Sequence, residues 1–154
     1  PANPIAASIG GQLAMVKGNI VKSAEQVPEN LYGFKATPEV RSFGQLFGHV
    51  ADANYAICAV AAGEKNPGLN VEKTKTTKAD LIAALNESFA YCEKALAATT
   101  DANGGEMREL FGMKMARLAW LSFAVSHDFE HYGNIVTYLR LNKMVPPSSQ
   151  GRGM

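Results

Sequence analysis

At 154 residues the chain is long enough for one domain with a proper core, and 47% hydrophobic against 19% charged residues is the balance of a globular fold, not a disordered segment. A formal net charge of +1, with the basic residues scattered along the chain, removes the electrostatic argument for nucleic acid. No apolar run reaches the ~20 residues that span a bilayer, so no membrane partner is expected.

Asn3-Pro4 reads as an N-cap followed by proline at the first helical position. Ile5, Ile9, Leu13, Val16, Ile20 and Val27 then recur at helical spacing until Pro28 stops this first helix. Residues 28–37 connect. Thr37-Pro38 repeats the start signal with Glu39 in the first turn, and Phe43, Leu46, Phe47, Val50, Ile57 and Val60 mark the apolar side of a second helix ending near Gly63. From Glu64 to about Thr76 the chain is polar and aperiodic, which predicts a long crossover loop.

Thr77 with Asp80 three residues on resembles a capping box, and Leu81, Ile82, Leu85, Phe89, Cys92 and Leu96 give a third helix its stripe. Thr99 to Gly112 reads as a loop around Asn103-Gly104-Gly105, with a short helical turn expected at Met107–Phe111. A fourth helix runs from about Lys114 to Asn142, ~40 Å long, and Pro146-Pro147 forbids its continuation. No stretch alternates with period two, so no strand is expected. The predicted fold class is therefore all-α, a four-helix bundle in a single domain over 1–154 with a loose tail from 145 on. The long crossover between the second and third helices can join parallel neighbours.

The most informative stretch is His127-Asp128-Phe129-Glu130-His131, inside the fourth helix. Positions i and i+4 leave the same side of a helix, one turn apart. The residues above and below on that side are apolar or small, Trp120, Phe123 and Ala124 before, Ile135 and Tyr138 after, so both imidazoles point inward. Two buried imidazoles need partners, and a shared metal ion satisfies both. His49 is the third and last histidine; if it reaches the same point, the three make a His-only site with room for water or substrate. The competing reading is a core histidine bonded to a backbone carbonyl. The metalloprotease pattern is absent, since Asp128 stands where it needs Glu, and Glu-x-x-His pairs for a di-iron centre are missing as well. Gln45, Asp52 and Ala53 share the side of His49, while Asn134 and Tyr138 follow His127 and His131 in line; all five are candidates to line a pocket, with ordinary packing as the alternative.

Cys58 and Cys92 have no metal-knuckle spacing. Either they form a disulfide, which would suit an oxidising compartment, or they are two small buried hydrophobes. The expected location is cytoplasmic; export after removal of a targeting segment is the alternative.

Residues 37–64, Thr-Pro-Glu-Val-Arg-Ser-Phe-Gly-Gln-Leu-Phe-Gly-His-Val-Ala-Asp-Ala-Asn-Tyr through Ala-Gly-Glu, resemble the second-helix segment of the DinB-like (DinB/YfiT) superfamily. His127-Asp128-Phe129-Glu130-His131-Tyr132-Gly133-Asn134, on through Tyr138-Leu139-Arg140-Leu141 to Pro146-Pro147, resembles that family's closing motif more specifically. The likeness covers nearly the whole chain and is weakest in the two loops. It implies a four-helix bundle, often a homodimer, holding a divalent metal, zinc or nickel, on His49, His127 and His131. Related members include S-transferases and isomerases that use a low-molecular-weight thiol, bacillithiol or mycothiol; a metal would favour the thiolate. Hydrolysis by a metal-activated water is the other use of such a site. The function expected is thus a metal-dependent hydrolase or thiol S-transferase acting on a small molecule. The alternative is a non-catalytic module in which a metal pins two helices together.

Overall fold

The structure, a computed structural model that describes residues 2–151, is carried by four long helices: α1 (Pro4–Gln26), α2 (Phe43–Ala62), α4 (Lys78–Ala97) and α5 (Arg117–Leu141). A single-turn helix α3 (Val71–Thr74) interrupts the crossover between α2 and α4, and a hairpin of β1 (Met107–Leu110) and β2 (Met113–Ala116) precedes α5.

Side-chain pairings fix the directions. Cys58 is bonded to Cys92, and one turn earlier Asn54 lies against Ser88, so α2 and α4 run parallel, as a long crossover permits. Tyr138 donates to Arg41 O just before α2, whereas His49, further along α2, meets His127; α5 therefore runs antiparallel to α2. Lys17 pairs with Glu93, and Lys78 donates to Glu25 O, which makes α1 antiparallel to α4. The result is an up-down-down-up bundle in which α2 packs on both α4 and α5. Its core is fully buried and comes from every long helix: Val16 and Ile20, Phe43 and Phe47, Leu85 and Phe89, Trp120, Ile135 and Leu139. Phe43 and Phe34 meet the edge or face of Tyr138 at 5.3 and 5.5 Å between ring centroids, which holds one end of α5 against the start of α2.

Several local expectations are corrected. Asn3 precedes α1 but makes no side-chain cap; Asp101, from the loop after α4, accepts from Ile5 N and Ala6 N instead, and Asn3 Oδ1 accepts from Asp101 N. The second helix starts at Phe43, not at Thr37-Pro38. Ser42 and Gln45 form a reciprocal capping box there, which satisfies two amides that Thr37 could not reach. Gly63 ends α2 with φ 75° as expected, and Thr77 caps α4 by accepting from Asp80 N. The crossover is not wholly irregular: Asp52 accepts from Val71 N and Glu72 N and so nucleates α3.

The chain also contains strands where none was expected. Phe111 and Gly112 both have positive φ, 54° and 72°, the geometry of a two-residue primed turn, and they close the β1–β2 ladder in place of the expected helical turn. That delays the last helix to Arg117. Four-residue strands with no buried side chain leave too short a pattern for alternation to register. The tail is docked as far as it is described. Tyr132 donates to Ser148 Oγ and accepts from Ser148 N, and Gln150 reaches Gln26. Residues 152–154, also called loose from the sequence, lie outside the described residues. Among the described residues no helix is long and apolar enough to cross a membrane.

Candidate metal centre

His49 stands midway along α2, and His127 and His131 stand one turn apart on α5, at the contact between the two helices. Their Nε2 atoms converge: His127 Nε2 lies 3.2 Å from that of His49 and 3.1 Å from that of His131. Nitrogens bound to one ion at ~2.0–2.1 Å are separated by about 3.3 Å at tetrahedral angles and about 2.9 Å at right angles. Both spacings from His127 fall between these limits, and all three ligand nitrogens lie within 4.8 Å of one another, so the trio could hold a single metal ion.

The outer nitrogens tell the same story. Asn134 presents Oδ1 to His131 Nδ1 at 3.1 Å, which places that ring's proton on Nδ1 and its lone pair on Nε2. The carboxylate of Glu72 lies 3.4 Å from His49 Nδ1 and favours the same tautomer. His127 Nδ1 is buried with no hydrogen-bond partner among the described residues. Burial, then the neighbouring imidazoles, holds His127 down at about 4, and burial lowers His49 and His131 as well. Three neutral rings aimed inward leave a donor set that suits a divalent transition metal.

Glu72 is the residue sequence reasoning missed, and three devices deliver it. Gly48 permits the approach: an added Cβ there would sit 2.6 Å from Glu72 Cα and 2.9 Å from its nitrogen. Asp52, one turn on, binds the first amides of α3. Arg41 Nε donates to Glu72 Oε1 at 2.9 Å and steadies the carboxylate from the other side. A glycine before a histidine and an acid one turn later were the available signals, but they have meaning only once the crossover folds back. A Glu72→Ala variant is expected to bind zinc ~10–100-fold more weakly while remaining helical, measured by competition with a zinc indicator and far-UV circular dichroism.

Of the other expected pocket residues, Gln45, Asn134 and Tyr138 line one cavity of about 610 Å³ that reaches the trio at His131 and is also bounded by Arg41 and Glu72. Asp52 and Ala53 do not line it: Asp52 is spent on α3, and Ala53 packs against the core. Asp128, on a different side of α5 from the imidazoles, is fully buried, and with its amide turned over Asn54 would donate to both carboxylate oxygens at 3.2 Å. Burial pushes the Asp128 carboxyl well above the usual carboxylate range.

Fold and site together define a helical bundle with a three-histidine cluster between two of its helices. The model of the DinB superfamily matches residues 12–135, and the chain belongs to that superfamily. Two solved structures share the fold. A DinB-like protein from Bacillus cereus is 15% identical, covers 90% of this chain and 93% of its own, and superposes with a TM-score of 0.77. A DinB-like protein from Bacillus subtilis, YjoA, is 20% identical over 95% of this chain and 99% of its own, with a TM-score of 0.75. No curated protein matches the sequence.

Proposed function

We propose that this chain is a metal-dependent enzyme of the hydrolase or thiol S-transferase type, holding zinc or nickel on His49, His127 and His131. The observation that carries the reading is the convergence of three neutral imidazoles beside a cavity of about 610 Å³. The chemistry supplied by a bound divalent metal is Lewis acidity, which brings deprotonation of a water or a thiol into the neutral range.

The chain's own groups would do the rest. Glu72 and Asn134 keep two of the rings turned inward. Gln45 and Asn134 commit their amide oxygens to Ser42 N and His131 Nδ1, which leaves their NH2 groups to donate to a substrate in the cavity. Tyr138 donates its proton to Arg41 O and can only accept. Between the two reactions, hydrolysis is preferred: the buried Cys58–Cys92 bridge supports an oxidising compartment, hence export, where a reduced low-molecular-weight thiol is scarce. Among the described residues nine large hydrophobics are exposed, Ile5, Met15, Leu141 and Val145 included; they support a homodimer, and light scattering that gives a monomer at high concentration would overturn that part.

The test is metal analysis of protein purified without chelators, followed by ester, amide and thiol-transfer assays on loaded and stripped samples. One metal per chain, with turnover lost on stripping, is the expected result. Absence of stoichiometric metal would overturn the proposal. A second reading, in which the metal only clamps α2 to α5, rests on the trio being drawn from two helices. It predicts a large fall in melting temperature with chelator and no turnover at any metal loading.

A further inference from the structure

Around the cavity at His131, hydrogen-bond acceptors are largely spent and donors are left over. Glu72 is taken by Arg41 and faces His49, and the amide oxygens of Gln45 and Asn134 are engaged; Glu39 is the one further carboxylate on the lining. What remains is the NH2 of Gln45, the NH2 of Asn134 and the ammonium of Lys35. A second cavity of about 890 Å³ adjoins the first; the two share Lys35, Arg41, Gln45 and Glu72, so they form one groove with the Arg41–Glu72 pair as its ridge.

The far compartment adds Lys73 and Lys75. The ammonium groups of Lys35, Lys73 and Lys75 have no ion-pair or hydrogen-bond partner among the described residues, and the acid on this side, Glu29, is bonded to Lys78 N. Ser42 and Gly44, at the N-terminus of α2, line the same space, so the positive end of that helix faces it; its first amides are already bonded and contribute field alone. A groove with a metal trio at one end and unpaired cations at the other selects by charge along its length.

We propose that the groove takes an elongated small molecule whose reacting group meets the metal and whose opposite end carries an oxyanion, a carboxylate or phosphate, held by Lys35, Lys73 and Lys75. This rests on the open metal centre proposed above and names the class of substrate that centre serves.

The probes are mercaptohexanoate and mercaptohexanol, whose thiol heads are the same for zinc and whose tails differ by one charge, with the mercaptopropanoate and mercaptopropanol pair as a short control. Calorimetric titration into zinc-loaded protein is expected to give about tenfold tighter binding of the hexyl acid than of its alcohol, as summed exposed ion pairs allow. Added salt should shrink the difference. A Lys35→Gln/Lys73→Gln/Lys75→Gln variant, checked for an unchanged circular dichroism spectrum and zinc content, should bind acid and alcohol alike. Equal affinities in the wild type, or a preference that survives in the triple variant, would overturn the inference and leave the open metal centre standing. If no probe binds the zinc-loaded protein better than the stripped one, the open centre fails, and the inference with it.

Discussion

A His127→Gln variant is expected to lose stoichiometric zinc or nickel, with affinity reduced by more than the ~10–100-fold that removal of an orienting partner produces. His127 Nε2 lies 3.2 Å from that of His49 and 3.1 Å from that of His131, so its loss removes the nitrogen in contact with both of the others. Glutamine keeps much of the volume, which limits packing loss, and metal content of protein purified without chelators is the readout. Retention of one metal per chain would remove the histidine trio as the site.

The same variant has a second signature in metal-free protein. His127 is held at about 4 in the fold, below the ordinary histidine value near 6.5. Between those values the unfolded chain binds the proton and the native chain does not, so stability is lost as pH falls through that window. Denaturant midpoints of stripped wild type should therefore decline as the pH drops from about 6.5 toward 4, and His127→Gln should flatten that decline.

The legibility of this site in the sequence follows the range of the interactions that build it. His127 and His131 are four residues apart on one helix, a purely local relation, and the apolar residues on their side told which way they face. His49 reaches them across the bundle, and periodicity alone placed it on an inward face without saying what it meets. Glu72 was beyond reach altogether. Its place depends on a missing Cβ at Gly48, on Asp52 binding the amides of a four-residue helix, and on Arg41 from a different loop. None of these has a meaning in the sequence until the crossover is folded.

Errors in the fold arose where two local signals competed or where a pattern was too short. Thr37-Pro38 and Ser42-Phe43-Gly44-Gln45 both announce a helix start, and the reciprocal bonds of the second prevail. The hairpin carried its signal in Phe111-Gly112, whose two positive φ values make the turn, whereas its strands are four residues long with no buried side chain. Long helices were legible because apolar positions recur at helical spacing over several turns; short elements had no such repetition.

Removing the cross-link between α2 and α4, as Cys58→Ala/Cys92→Ala, is expected to lower stability by about 3–4 kcal/mol, the closure entropy of a loop with sequence separation 34. For a domain of this size that is a fall of roughly 10 °C in melting temperature, read by calorimetry with and without reductant. The α2–α4 contact is sensitive to such a link because parallel neighbours lack a short hairpin to hold their ends together; here the link ties the C-terminal halves of the two helices. Both sulfurs are fully buried, so reductant should act on the wild type only through transient opening, and faster as denaturant is added. A double variant that melts with the wild type would refute the cross-link. With total stabilities of natural domains at ~5–15 kcal/mol, a reducing compartment would remove a large share of the margin from this chain. The same measurement, made on reduced wild type, therefore also bears on the compartment: a reduced form stable enough to stay folded at growth temperature would weaken the argument for export, and one that unfolds would strengthen it.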